Sequence, residues 1–250
     1  PVDVSRNAVP EWVVSRNAVP GRNRNSAPGY INMNSLIPLI PFLPFIGFLI
    51  NGLFGRNLSK TTVGIIGSGV LLASFLLSVA CFNQVAASGP IHFILYNFFT
   101  VDSLSADFGF LVDQLSVWMM LIVTGVGFLI HVYSIGYMHD DEGFWKFFAY
   151  LNLFIFAMLL LVMGDNLLML FFGWEGVGLC SYLLIGFWYT NKEYGKAARK
   201  AFIMNRIGDL GLLLGIFLIF KTFGTIGFSE MFTRLSEVRP ETGVITLICI

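Results

Sequence analysis

Long apolar runs recur along the chain, broken by short polar stretches. A run of about 18 or more apolar residues reads as a membrane-spanning helix, because ~30 Å of hydrocarbon takes about 20 residues at ~1.5 Å each. Backbone groups in hydrocarbon must bond within the protein, and long apolar runs achieve that as helices. From Met33 the pattern predicts an all-α integral membrane protein with six complete spans and the start of a seventh. The spans are Leu36–Leu53, Val63–Phe82, Phe110–Tyr137, Phe147–Met163, Leu167–Tyr189 and Ala198–Phe220. The seventh begins near Gly243 and is cut off at Ile250. Only Gly164–Asn166 separates the fourth span from the fifth, which makes those two a tight antiparallel hairpin. The stretch from Asn83 to Gly109 alternates irregularly and carries Asp102 and Asp107; its pattern leaves open whether it folds as a short hairpin on the outer surface.

Residues 1–32 follow no such pattern. They are polar, and they repeat VSRNAVP at Val4–Pro10 and Val14–Pro20. They hold neither an apolar core nor the apolar stretch of a signal peptide. Met33 then opens MNSLIPLIPFLPFIGFLING, which has the form of a natural start. Residues 1–32 are therefore expected to be a disordered or non-native tail. The rest divides into spans one to three over 33–137, and spans four to six with the beginning of the seventh over 138–250.

Charge refines the picture. Charged residues make up 12% of the chain, against about 25% in soluble domains. The mean hydropathy is +0.77. Net charge is zero, so no basic surface points to nucleic acid. Stretches after spans one, three and five carry Arg56, Lys60, Lys146, Lys192, Lys196, Arg199 and Lys200; those after spans two, four and six carry Lys221, Arg234 and Arg239. The excess marks the first set as cytoplasmic and starts the first span on the outer side. Arg6, Arg16, Arg22 and Arg24 of the tail run against that orientation, a second reason to read the tail as non-native. Trp118, Trp145, Trp188, Tyr133, Tyr137 and Tyr189 lie toward span ends, as interfacial anchors do. Cys81, Cys180 and Cys249 stand alone in apolar sequence without metal or redox spacing, and read as packing residues.

Ionisable groups inside spans are the candidates for chemistry, since each costs roughly 3 kcal/mol at mid-membrane. Glu175 is the ninth residue of its 23-residue span. Gly173, Gly176 and Gly178 flank it, and small residues admit a neighbouring helix. It should therefore face protein or enclosed water, with Tyr182 on the same face. A desolvated carboxyl favours its neutral form and a nearby cation favours the charged one, so a changing partner lets the group take up and release a proton. A fixed helix–helix hydrogen bond is the structural alternative. Arg206 and Asp209, in NRIGDLG, lie three residues apart on one helix face, with Asn205 four residues before Asp209 and Gly208 and Gly211 leaving room beside them. A self-neutralising pair is their structural alternative. Asp113 reads as interfacial. His131 is a relay candidate or a packing hydrogen-bonder. Lys196, Arg199 and Lys200 read most simply as cytoplasmic anchors, with a functional role for Lys200 as the minor alternative. Gly67-Ser68-Gly69 and Gly173…Gly178 complete no dinucleotide fingerprint, and no phosphate-loop or zinc-helix motif occurs.

The stretch HVYSIGYMHDDEGFWKFFAYLNLFIFAMLLLVMGDNLLMLFFGWEGVGLCSYLLIGFWY, continued by KAARKAFIMNRIGDLGLLLGIF, resembles the L subunit of bacterial NADH–quinone oxidoreductase, respiratory complex I, and mitochondrial subunit 5. The likeness runs from about Met33 to Ile250 and is densest from His131 to Phe220. It implies an antiporter-like helix bundle, with 138–250 the start of the first of two inverted repeats. Glu175 matches the family's span-five glutamate, which pairs with a lysine on a broken span seven. Asp209 and Arg206 match the span-six aspartate and its arginine. The resemblance makes Glu175, Asp209 and Arg206 members of a proton relay driven by electron transfer elsewhere. It places NADH, FMN, the iron–sulfur clusters and quinone in other subunits, so this chain itself binds no cofactor. The implied partners are other membrane subunits of complex I, antiporter-like ones among them, together with lipid and protons. The implied setting is the bacterial plasma (inner) membrane. The span-seven lysine falls beyond Ile250, so the chain is expected to be a fragment that does not translocate protons alone. Two other readings stand beside this one: the large subunit of a multisubunit cation/proton antiporter, and a scaffold whose buried charges only stabilise helix packing.

Overall fold

The computed structural model describes residues 36–101, 104–238 and 242–249. The tail 1–32, Asp102 and Arg239 lie outside them. The elements are α1 (Leu39–Phe54), a short 3-10 turn (Gly55–Asn57), α2 (Lys60–Ser88), β1 (Ile91–Val101), β2 (Leu104–Val112), α3 (Gln114–Tyr137), α4 (Phe144–Met163), α5 (Leu167–Ile185), α6 (Lys192–Phe223), α7 (Phe228–Val238) and α8 (Thr242–Cys249). Among the described residues, six helices are long and apolar enough to cross a membrane, α1 together with its 3-10 turn and α2 to α6, as the hydrophobic pattern predicts.

The boundaries differ where capping and turn chemistry override hydropathy. Phe110–Val112 belong to β2. The third helix begins only after Asp113, whose carboxylate accepts from the Ser116 backbone N–H at 2.8 Å in a capping box. Asp113 thus caps the start of this helix. The fifth helix stops at Ile185, with Trp188 and Tyr189 in the turn that follows. Lys192, Lys196, Arg199 and Lys200 are not loop residues; they form the first turns of α6, which Asn191 caps. Lys60 likewise opens α2, and its ammonium donates to the His139 carbonyl at 2.7 Å, tying α2 to the α3–α4 turn. Beyond α6, where no helix was expected, Phe228–Val238 forms α7.

Helix α4 is the hub. It packs on α1, α2, α3 and α5, while α6 packs on α5. Phe148, Leu159, Leu160 and Met163 of α4 are fully buried, with Ile40 of α1, Leu71 of α2 and Met120 of α3. Glycine sets the closest approach. A Cβ on Gly173 of α5 would lie 2.5 Å from the Leu161 backbone nitrogen of α4, and one on Gly176 would lie 2.8 Å from the Ala157 Cβ. Small residues at such crossings are how membrane helices gain packing without a hydrophobic drive.

The stretch that sequence left undecided is an antiparallel hairpin, with Ile91 opposite Val112 and Val101 opposite Leu104. It grips the α4–α5 turn. Phe110 of β2 bridges Gly164, and Asn166 bridges Gly227 on the other side. His92 of β1 bonds Asp165 through Nε2 and Oδ2 at 3.0 Å. The Asn166 amide donates to the Asp107 carbonyl at 2.7 Å, while its oxygen caps α5 at the Met169 N–H. A Cβ at Gly109 would strike the Asp165 carboxylate, so a larger residue there must displace that side chain. The hairpin therefore fixes where α5 starts. Glu175 follows eight residues after Leu167, about 12 Å along the helix axis.

Two expectations follow. Gly173→Ala forces α4 and α5 apart and costs about 1–3 kcal/mol as overpacking, read as a lowered thermal midpoint in detergent. Gly69→Ala, whose Cβ meets nothing within 4 Å, leaves the midpoint unchanged or raises it. The second expectation concerns pH. The hydrogen bond to Asp165 raises the His92 pKa above its ordinary value; burial opposes this, and the charges of Asp165 and Asp107 add to the rise. A raised folded-state value means stability that is full below about pH 6.5 and is lost as pH climbs through the raised value. The thermal midpoint should accordingly fall with rising pH in the wild type more than in His92→Gln.

Candidate functional site

Helices α5 and α6 face each other across the three ionisable residues singled out from the sequence. Glu175 of α5 makes an ion pair with the Arg206 guanidinium of α6. The same guanidinium nitrogen donates to Asp209 Oδ2 at 3.4 Å, one turn along α6. Asp209 is the most buried of the three, its side chain 8% exposed, against 23% for Glu175 and 43% for Arg206. One cation thus serves two carboxylates. With all three ionised the group carries one net negative charge, and a single proton on either carboxylate neutralises it.

Neighbouring aromatic groups shape the triad. The Trp174 indole N–H donates to Asp209 Oδ1 at 2.8 Å, so each carboxylate oxygen of Asp209 has its own donor. The Phe202 ring lies under the Arg206 guanidinium at 4.6 Å. Tyr182 packs against Phe202 at 5.3 Å between centroids. Tyr182 therefore reaches the triad through Phe202 rather than directly. A cavity of about 310 Å³ opens beside Glu175 and Arg206, walled by Ala157 and Leu160 of α4 and Gly176 and Cys180 of α5. It is large enough for water next to a titratable carboxyl.

The surrounding small residues play different parts. Gly173 and Gly176 admit α4, as the close approach described above requires. Gly178 faces Asn205 of α6, whose amide nitrogen would lie 3.1 Å from a Cβ there. Gly208 and Gly211 meet nothing within 4 Å and lie on the open side of α6. His131 sits elsewhere: it is buried between α3 and α4, bonded to the Gly127 carbonyl at 2.8 Å and edge-on to Phe148. Lys196, Arg199 and Lys200 are exposed at the start of α6, with Lys196 bonded to Glu193. Cys81 and Cys180 are buried free thiols. Among the described residues, no group of three or more His, Cys, Asp or Glu side chains could hold a metal ion.

Sequence reading missed Trp174 and Phe202. Both carried a signal. A tryptophan within a span needs an acceptor for its N–H, and Phe202 lies four residues before Arg206 on the same helix face. The grip on Asp165 had no sequence signal, because it joins residues 73 positions apart.

Residues 98–148 match the family described as NADH-ubiquinone oxidoreductase (complex I), chain 5 N-terminus, and residues 164–250, which hold the triad, match the NADH:quinone oxidoreductase/Mrp antiporter transmembrane family. The chain is 43% identical over 212 residues to NADH-quinone oxidoreductase subunit L of Pseudomonas aeruginosa, covering 83% of this chain and 34% of that protein. It is 42% identical over 203 residues to subunit L of Escherichia coli, covering 79% and 32%. It is 44% identical over 212 residues to NADH-ubiquinone oxidoreductase chain 5 of Triticum aestivum, covering 82% and 32%. The chain therefore spans about a third of the length of these relatives. Its fold also resembles that of a chain of the archaeal membrane-bound sulfane sulfur reductase, with a TM-score of 0.71 at 18% identity, over 85% of this chain and 42% of that one. A chain of the Mrp complex from Dietzia gives 0.70 at 22% identity, over 85% and 22%. An antiporter-like membrane fold and sequence matches over most of its length place this chain in the family of NADH-quinone oxidoreductase subunit L and NADH-ubiquinone oxidoreductase chain 5.

Proposed function

We propose that the chain carries part of the proton path of a proton-translocating membrane subunit of NADH:quinone oxidoreductase. The Arg206 guanidinium shared between Glu175 and Asp209 is the observation that carries this reading. While Arg206 holds Glu175, that carboxylate is charged. When the guanidinium moves toward Asp209, Glu175 loses its counter-charge and takes up a proton, and the reverse movement releases it. The Trp174 N–H keeps Asp209 hydrogen-bonded through either arrangement. Trp174 and Phe202 act as positioning residues, and Glu175, Arg206 and Asp209 as the relay.

In this reading the chain binds no redox cofactor. NADH, FMN, iron–sulfur clusters and quinone are handled by other subunits, and the partners are further membrane subunits, antiporter-like ones among them. Residues 33–137 form the leading helices, and 138–250 belong to an antiporter-like repeat. The setting is a bacterial plasma (inner) membrane, with the His92 hairpin outside and the Lys60, Lys146 and Lys192 end in the cytoplasm. The chain's fold likeness to the Mrp complex keeps one second reading, a cation/proton antiporter subunit.

Glu175→Gln in the complete subunit, assembled in its complex, should lower NADH-driven proton pumping into inverted vesicles several-fold while the complex still assembles. Pumping at the wild-type rate would assign the triad to helix packing alone. Proton movement driven by a cation gradient without NADH would favour the antiporter reading. Orientation has its own check: Glu193→Cys should react with a membrane-impermeant maleimide from the cytoplasmic side, and labelling only from outside inverts the topology.

A further inference from the structure

A cavity of about 600 Å³ opens where α1 and α5 end and α4 and α6 begin, at the end of the bundle away from the hairpin. Its size is that of a small-molecule site. Its lining carries both signs of charge, with Arg56 and Lys146 on one hand and Asp141 and Glu142 on the other. Asp141 is already engaged: it accepts from the Gly143 N–H at 2.6 Å and from the Trp188 indole at 2.8 Å, which holds Trp188 as a wall. Among the described residues, Arg56, Lys146 and Glu142 make no ion pair. Trp145 and Tyr150 complete an aromatic lining at the level where interfacial rings sit.

This cavity does not stand alone. A second one, of about 280 Å³, shares Trp145, Lys146 and Tyr150 with it. The remaining lining residues of the second are all apolar: Phe48, Leu49, Gly52 and Leu53 of α1 and Ala149 of α4. It leads from the helix ends toward mid-span, since Leu53 and Trp145 are terminal and Phe48 and Ala149 lie further in. Gly52 leaves it open; a Cβ there would make only ordinary contacts, 3.8 Å to Phe48 and 3.9 Å to Ala149.

We propose that the joined cavities bind one phospholipid, with a zwitterionic amine-bearing headgroup in the charged chamber and an acyl chain in the apolar groove between α1 and α4. Arg56 and Lys146 receive the phosphate through charge-assisted hydrogen bonds. Glu142 and the face of Trp188 receive the ammonium, the Trp145 ring being already paired with the Lys146 ammonium at 5.3 Å. An anionic glycerol headgroup fits less well, because it lacks the ammonium that Glu142 would pair with. A soluble phosphate compound leaves the apolar groove unexplained.

The test is native mass spectrometry of the delipidated full chain, titrated with phosphatidylethanolamine or phosphatidylglycerol of the same acyl composition. Phosphatidylethanolamine should survive at collision energies that strip phosphatidylglycerol. The double variant Arg56→Gln, Lys146→Gln should lower its retention about tenfold. Gly52→Leu, which fills the groove and leaves the charges in place, should also release it. Glu142→Gln should turn the preference toward phosphatidylglycerol. Equal retention of the two lipids by the wild type, or retention indifferent to Glu142→Gln, refutes the zwitterionic site. Loss with the charge variants but not with Gly52→Leu refutes the lipid. Arg56 and Glu142 are exposed, so their variants keep the fold, which size-exclusion profiles verify.

Discussion

The charges that face each other between α5 and α6 are organised around one guanidinium with two claimants. Arg206 joins α6 to α5 through Glu175 and closes a turn of its own helix through Asp209. A bilayer tolerates charge only where it is paired or reaches water. The triad satisfies two of its members fully and leaves the third dependent on a proton or on further charge. The glycines of GWEGVG, the Trp174 indole and the Phe202 ring follow from that constraint. They bring helices close, occupy the spare oxygen of Asp209, and support the cation from below.

How much of this was legible in the sequence depends on the range of the interaction. Six spans and the α4–α5 hairpin follow from hydropathy, because the bilayer imposes a fixed length on each crossing. The Arg206–Asp209 pair follows from helix spacing. Ends were less legible. Hydropathy carried the third span through Phe110, where the chain is in a strand, because an apolar strand and an apolar helix look alike over three residues. The Asp113 capping box decides the boundary, and its Ser116 partner was there to be read. Helix α7 was missed because its polar face hides an amphipathic period in what scans as a loop.

Contacts between distant segments carried no sequence signal. The Glu175–Arg206 pair joins α5 and α6, which approach each other at Gly178 and Asn205, and composition does not state a rotation. The hairpin's hold on Asp165 is the clearest case. His92, Gly109 and Asp165 read as three ordinary residues until the fold brings them together. Asp165 and Asn166 then prove to be the point where β2, α5 and the segment before α7 converge.

That convergence turns the hairpin end of α5 into a fulcrum. Asp165 accepts from the Phe228 N–H, and Leu167 donates to the Ile226 carbonyl, so this end is clamped by backbone as well as by side chains. A tilt of α5 pivoting at that point would displace each residue in proportion to its distance from it. Glu175 stands about 12 Å down the lever and Tyr182 about 22 Å. A tilt of about 5° then moves the carboxylate by ~1 Å, which spans the difference between a good hydrogen bond and none. The hairpin thereby sets the distance between a fixed point on α5 and the Glu175–Arg206 pair.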